Sequence, residues 1–131
     1  MSVISADQWI VSMLTVNAEL QALIGNRVFI DEAPQNTVFP YVVFQFVYGS
    51  PVTNNSVDKI MMDEVWLIKA VGEGRNYSTL APIVSLIESI IHKASGTGVI
   101  GAVQEEEFRY SETESGEYYK HLGHYYRIFT Q

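Results

Sequence analysis

The chain has 131 residues, 47% hydrophobic and 18% charged, with a net charge of −7 and no cysteine. That length fits one domain over residues 1–131, and the composition excludes disorder, which needs low hydrophobicity with high net charge. The lack of cysteine excludes a disulfide framework, a thiolate nucleophile and thiolate metal ligands, and the acidic balance argues against a basic face for DNA or RNA.

In chain order, the first element is a helix. Ser5 is its expected N-cap, and Gln8 three residues later completes a capping box. Trp9, Ile10, Met13, Leu14, Val16, Leu20, Leu23 and Ile24 recur at helical spacing. Gly25 supplies the left-handed stop, and Asp7 lies in the first turn, where the helix dipole favours negative charge. Arg27 is the first basic residue, so no charged n-region precedes an apolar segment. No secretory signal is expected, and a cysteine-free chain fits synthesis in the cytosol.

Arg27–Ile30 reads as a short strand. Asp31–Phe39 is a loop of turn formers, Pro34, Gln35, Asn36 and Thr37. Pro40 then opens an aromatic and β-branched run, Tyr41–Tyr48, with the composition of a buried strand. Gly49–Val57 reads as a polar connection, with Pro51, Asn54 and Asn55, leading to a strand over Lys59–Val71 and hence a hairpin. Gly72–Tyr77 is a turn region. Ser78 or Thr79 is the expected cap of the next helix, with Pro82 in its first turn. Leu80, Ile83, Val84, Ile87, Ile90, Ile91 and Ala94 make its apolar stripe, Lys93 lies near its end, and Ser95–Gly98 stops it. Val99–Tyr110 and Tyr118–Thr130 form a closing hairpin around a Ser111–Glu117 turn. The order α-β-β-β-α-β-β predicts an α+β domain, an antiparallel or mixed sheet covered by two helices. The most apolar stretches, Tyr41–Tyr48 and Leu80–Ile91, are too short to span a bilayer and are interrupted by Gln45, Ser85 and Glu88.

The chemistry-bearing residues are few. His121 and His124 form HxxH, but strand residues three apart point to opposite faces. Gly123 could introduce a bulge that repairs this, yet no third ligand lies nearby, so exposed strand histidines are the plainer reading. His92 reads as a polar residue ending a helix. Glu105, Glu106 and Glu107 could do acid–base work if burial separated their pKa values, but only Glu105 and Glu107 would share a face of a regular strand. With Glu112, Glu114 and Glu117 they form an acidic hairpin opposed only by Arg109 and Lys120. Such a run is either a solvated edge that resists stray pairing or a surface facing a partner or a DNA-containing lumen. Gly72-Glu73-Gly74 and Gly96-Thr97-Gly98 lack the pattern of phosphate loops, and no nucleophile elbow occurs. No catalytic constellation stands out, so neither an enzyme nor a cofactor is expected.

One family resemblance runs through nearly the whole chain. It rests on an N-terminal helix ending in glycine, then Arg27-Val28-Phe29, Ala33-Pro34-Gln35, Pro40-Tyr41-Val42-Val43 and Gln45. It continues in the apolar helix Leu80–Ala94 and the closing Tyr118…Gly123-His124-Tyr125-Tyr126-Arg127-Ile128. This pattern resembles the tail completion, or tail terminator, family of long-tailed bacteriophages and prophages. The resemblance implies a structural protein of the virion tail, assembled in the bacterial host cytoplasm. It implies a homo-hexameric ring on the finished tail tube that ends polymerisation and meets the head completion protein, with DNA passing through. It carries no catalytic residue. Within that reading, Pro51, Val52, Thr53, Asn54, Asn55 and Ser56 are the candidate loop ordering on the major tail tube protein. Glu105, Glu106, Glu107, Glu112 and Glu114 are the candidate acidic lumen or partner surface. The alternatives are a head-side connector or neck protein, or a small metal-dependent hydrolase using His121, His124 and a glutamate.

Overall fold

The computed structural model describes residues 6–56 and 58–131. Three helices, α1 (Ala6–Thr15), α2 (Ala18–Ile24) and α3 (Ala81–Ile91), accompany five strands. The strands are β1 (Val28–Ile30), β2 (Tyr41–Thr53), β3 (Lys59–Glu73), β4 (Val99–Glu114) and β5 (Glu117–Thr130). They form one sheet in the order β1-β2-β3-β5-β4. β1 runs parallel to β2 and every other pairing is antiparallel, so the sheet is mixed.

The expected N-terminal helix is two helices. Asn17 sits between them in an extended conformation and its Oδ1 accepts the Leu20 amide at 2.9 Å, capping α2. Asparagine favours a cap over a helix interior, because its short side chain competes for backbone donors. The break redirects the apolar pattern. Trp9, Ile10 and Leu14 of α1 and Leu20 and Ile24 of α2 are buried, whereas Val16 is 76% exposed and Leu23 also faces out. Ser5, the expected cap of the first helix, lies outside the described residues.

Strands run further than expected. β2 continues through Gly49 and Pro51 to Thr53, so the Gly49–Val57 connection shrinks to a tight turn. There Asn54 Oδ1 accepts the amides of Ser56 (2.9 Å) and Asp58 (3.1 Å). β4 and β5 extend to Glu114 and Glu117, leaving Ser115 and Gly116 as the turn, both with positive φ (51° and 83°). That pair of left-handed residues matches the twist of a tight hairpin. β3 likewise runs to Glu73. Neither Ser78 nor Thr79 caps α3; Leu80 holds the cap position without a side-chain bond, and Ser78 instead donates its amide and hydroxyl to Asn76.

All three helices contribute to the core on one face of the sheet, not two as expected. Ile83, Ile87 and Ile91 of α3 join Trp9, Ile10, Leu14, Leu20 and Ile24 there. They meet Phe44, Trp66, Ile68, Leu122, Tyr126 and Ile128, which alternate along β2, β3 and β5. Fully burying an aliphatic side chain of this kind contributes about 1.5–3 kcal/mol each.

No helix among the described residues packs on the other face of the sheet. Val43, Val65, Leu67 and Val71 are nevertheless buried there. Lys69, Gly123 and Phe108 occupy one cross-strand row, and the Lys69 ammonium lies 5.4 Å from the Phe108 ring centre. The lysine therefore reaches across Gly123. A Cβ at Gly123 would stand 2.1 Å from the Ile68 carbonyl oxygen, so β3 and β5 approach more closely than any side chain allows.

Candidate functional site

The two histidines of the HxxH motif do not converge. His121 pairs with Tyr110 and Val71 on the helix-free face, while His124 pairs with Ile68 on the helix face. Gly123 between them takes a regular register and makes no bulge. Neither histidine is exposed, contrary to the plainer sequence reading. The His121 side chain is 12% exposed, and its Nε2 lies 2.8 Å from Glu112 Oε1. Burial lowers its pKa, and the Glu112 bond opposes that shift. Among the described residues no three His, Asp or Glu side chains are placed to hold a metal ion. His92 does more than end a helix: it caps α3 and its Nδ1 accepts the Gln104 amide at 3.0 Å, tying α3 to β4.

The acidic run is rearranged by a bulge. Gln104 pairs with Tyr126 and Glu107 with His124, so Glu105 and Glu106 together oppose Tyr125. The extra residue shifts the alternation, and Glu105 and Glu107 no longer share a face. Glu105 joins the helix-free face, where Arg127 Nε donates to its Oε2 at 3.0 Å. Arg127 Nη1 donates to Asp63 Oδ1 at 2.6 Å and Nη2 to the Tyr48 hydroxyl at 3.4 Å. One guanidinium in β5 thus reaches β2, β3 and β4. Glu107 turns to the helix face and pairs with Arg109 at 3.1 Å. Arg127 therefore opposes the acidic hairpin as well as Arg109 and Lys120, which simple counting along the hairpin missed.

Two surface features were not legible as sites. The first is a cleft of 430 Å³ between the loop after β1 and the tip of the β4–β5 hairpin. Phe39, Tyr41 and Tyr119 line it with aromatic surface, and Glu112, Glu114 and Glu117 supply carboxylates. The second is the outer edge of β2. β1 pairs with β2 only along Val42–Phe44. From Gln45 to Thr53 no strand among the described residues pairs with this edge, and Phe46, Val47 and Tyr48 on it are 51%, 46% and 48% exposed. Ile60 on β3 is exposed beside the same hairpin tip. Pro51, Val52 and Thr53 are part of this strand and only Asn54, Asn55 and Ser56 turn.

A family profile for "Tail completion protein gp17" matches residues 8–117. The chain belongs to the tail completion protein family. It is a structural protein of the virion tail. Among solved structures, a similar chain occurs in the virion of a native gene transfer agent particle. The TM-score is 0.65 at 16% identity, over 93% of this chain and 92% of that one, which is a likeness of fold. No curated protein matches the chain. The tail completion profile runs from α1 to the first residue of β5 and so includes the β2 edge and all of the cleft lining except Tyr119. Its Ala33-Pro34-Gln35 segment and Tyr41 form one wall of the cleft. No helix among the described residues is long and apolar enough to cross a membrane.

Proposed function

We propose that this protein, acting as a single domain over residues 1–131, caps the tail tube as a homo-hexameric ring. In this reading it ends tube polymerisation and forms the tail side of the head–tail joint. The observation that carries the proposal is the bare edge of β2. A long apolar edge strand is a template for pairing with another chain, and monomeric proteins usually blunt such edges. One edge of this kind per copy, met by a different surface of the next copy, is the heterologous contact from which a closed ring is built. The turn residues Asn54, Asn55 and Ser56, carried forward by the strand residues Pro51, Val52 and Thr53, are the part offered to the major tail tube protein. The acidic strip of Glu105, Glu106, Glu107, Glu112 and Glu114 is left for the lumen or the head completion protein. There its charge lets DNA pass without specific binding.

The test is a phage in which the gene carries Phe46→Lys and Tyr48→Lys. Both side chains are half exposed; the changes give up the Phe46 contact with Trp66 and the long Arg127 bond to the Tyr48 hydroxyl but replace no buried side chain, so the fold persists while pairing along β2 is blocked. Electron micrographs then show overlong tails without heads. Tails of normal length carrying heads would sink the ring proposal. Tails of normal length that lack heads would instead favour a head-side connector.

A further inference from the structure

We infer that the cleft between the Ala33–Phe39 loop and the β4–β5 tip is a receptor for an arginine side chain presented by a different protein of the particle. This goes beyond the ring proposal and does not depend on it.

The chemistry of the cleft selects a flat cation. Phe39 stacks on Tyr119 with ring centres 5.4 Å apart and planes at 28°, and lies 5.3 Å from Tyr41. These rings give the cleft an extended π surface above buried Val71. Three carboxylates, from Glu112, Glu114 and Glu117, stand on the same cleft, and among the described residues no lysine or arginine lines it. Their field is felt within the cleft: burial first, and then the carboxylates, push the Tyr41 and Tyr119 hydroxyls up from the usual phenol range. A guanidinium stacks on aromatic faces and forks onto carboxylates, so it satisfies both parts at once. A small metal ion does not, because the carboxylates do not converge on one point.

The molecule already uses this pairing with its own cations. Arg75 lies 4.3 Å from the Tyr118 ring centre and Arg109 lies 5.0 Å from that of Tyr77, while pairing with Glu107. Arg27 donates to the Pro40 carbonyl, and Arg127 is held by Glu105 and Asp63. Every arginine of a second copy is therefore engaged within its own chain. A nucleic acid is excluded by the sign of the charge. What remains is a basic segment of another protein, and 430 Å³ accommodates a long side chain with its flanking backbone.

The test uses the isotope-labelled full chain, titrated with acetyl-arginine amide and, separately, with the uncharged acetyl-citrulline amide. Binding of one side chain is weak, around the millimolar range that about 4 kcal/mol gives. The arginine probe shifts the amide signals of Gln35, Thr37 and Tyr119 in a saturable way, and the citrulline probe does not. The E112Q/E114Q/E117Q variant weakens binding at least about tenfold, the loss of roughly 1.4 kcal/mol of charge pairing. Because Glu112 also holds His121, E114Q/E117Q serves as a second variant that leaves that bond intact. The inference is overturned if neither probe shifts these signals, if both shift them equally, or if the variants bind as well as the parent. The titration needs no tail, so its failure leaves the ring proposal standing, and a failed ring leaves this result standing.

Discussion

Along the outer side of β2, Phe46, Val47 and Tyr48 stand exposed beside unpaired backbone; along the outer side of β4, the corresponding stretch carries Glu105, Glu106 and Glu107. Both edges offer rows of N–H and C=O groups, but on β4 the Ala102 carbonyl accepts the Lys93 amide and the Gln104 amide donates to His92 Nδ1, which ties that part of the edge to the end of α3. Both also contain a register shift, between Phe46 and Tyr48 on one and between Gln104 and Glu107 on the other. From Glu105 onward, beyond that tie, backbone geometry does not separate them. Side-chain charge does: carboxylates must be desolvated before another strand can dock, whereas apolar side chains gain from docking. The sheet has one edge guarded by charge and one open edge.

Making the protected edge resemble the open one gives the largest effect. Glu106→Val with Glu107→Val removes two carboxylates from β4 and spares Glu105, which holds Arg127. With two docking edges per copy, light scattering then records open-ended association and loss of soluble protein; an unchanged soluble state would show that charge is not what guards β4. The converse change, Val47→Lys, places a charge on the bare edge. Sedimentation velocity at matched concentrations is expected to show self-association weakened about tenfold or more, the effect of a single like-charge or desolvation penalty of roughly 1.4 kcal/mol. No change would remove β2 from the interface.

A smaller effect follows from the residue that spans both edges. Arg127→Ala leaves Asp63 and Glu105 facing each other without their cation. Their side chains are 24% and 30% exposed, so solvent screens part of the cost. A loss of about 1–2 kcal/mol in denaturant unfolding is expected. Arg127→Lys recovers little of it, because an ammonium cannot reproduce the fork. The smallest effect concerns Glu112, the edge carboxylate held by His121. Burial lowers the His121 pKa below its free value of 6.5. The unfolded chain then takes up the proton first, and stability falls as pH drops below 6.5 until folded His121 is also protonated. The thermal midpoint of the parent is thus expected to drop more between neutral and mildly acid buffer than that of His121→Gln. An equal drop would show that this histidine is not the group responsible.

How much of this was readable in the sequence depended on whether one face of each element was buried. The stripe Ile83, Val84, Ile87 and Ile91 marks α3 correctly, because that helix lies directly on the core. The centres of β2, β3 and β5 are equally clear, since they alternate between the core and the opposite face. Strand ends were missed where both faces are polar: Ser111–Glu114 reads as loop yet continues β4, held by the cross-strand ladder and not by burial. Asn17 was passed over because the apolar residues on either side kept an apparently continuous helical period. At the site, the carboxylates were visible as a cluster, but their faces depended on a bulge that no spacing announces. The cleft could not be read at all. Its two walls come from segments that are remote in the chain, and it takes both the β2–β3 and the β3–β5 pairings to bring them together.

The crowding at Gly123 sets a limit on how this chain can vary. With the Ile68 carbonyl oxygen 2.1 Å from where a side chain would begin, no other amino acid fits without parting β3 from β5. In a saturation library scored for folded protein, position 123 would stand as an isolated gap. Its neighbours His124 and Leu122 would still accept some replacements. The constraint comes from the backbone and makes no demand on charge or polarity, so even alanine would be lost there.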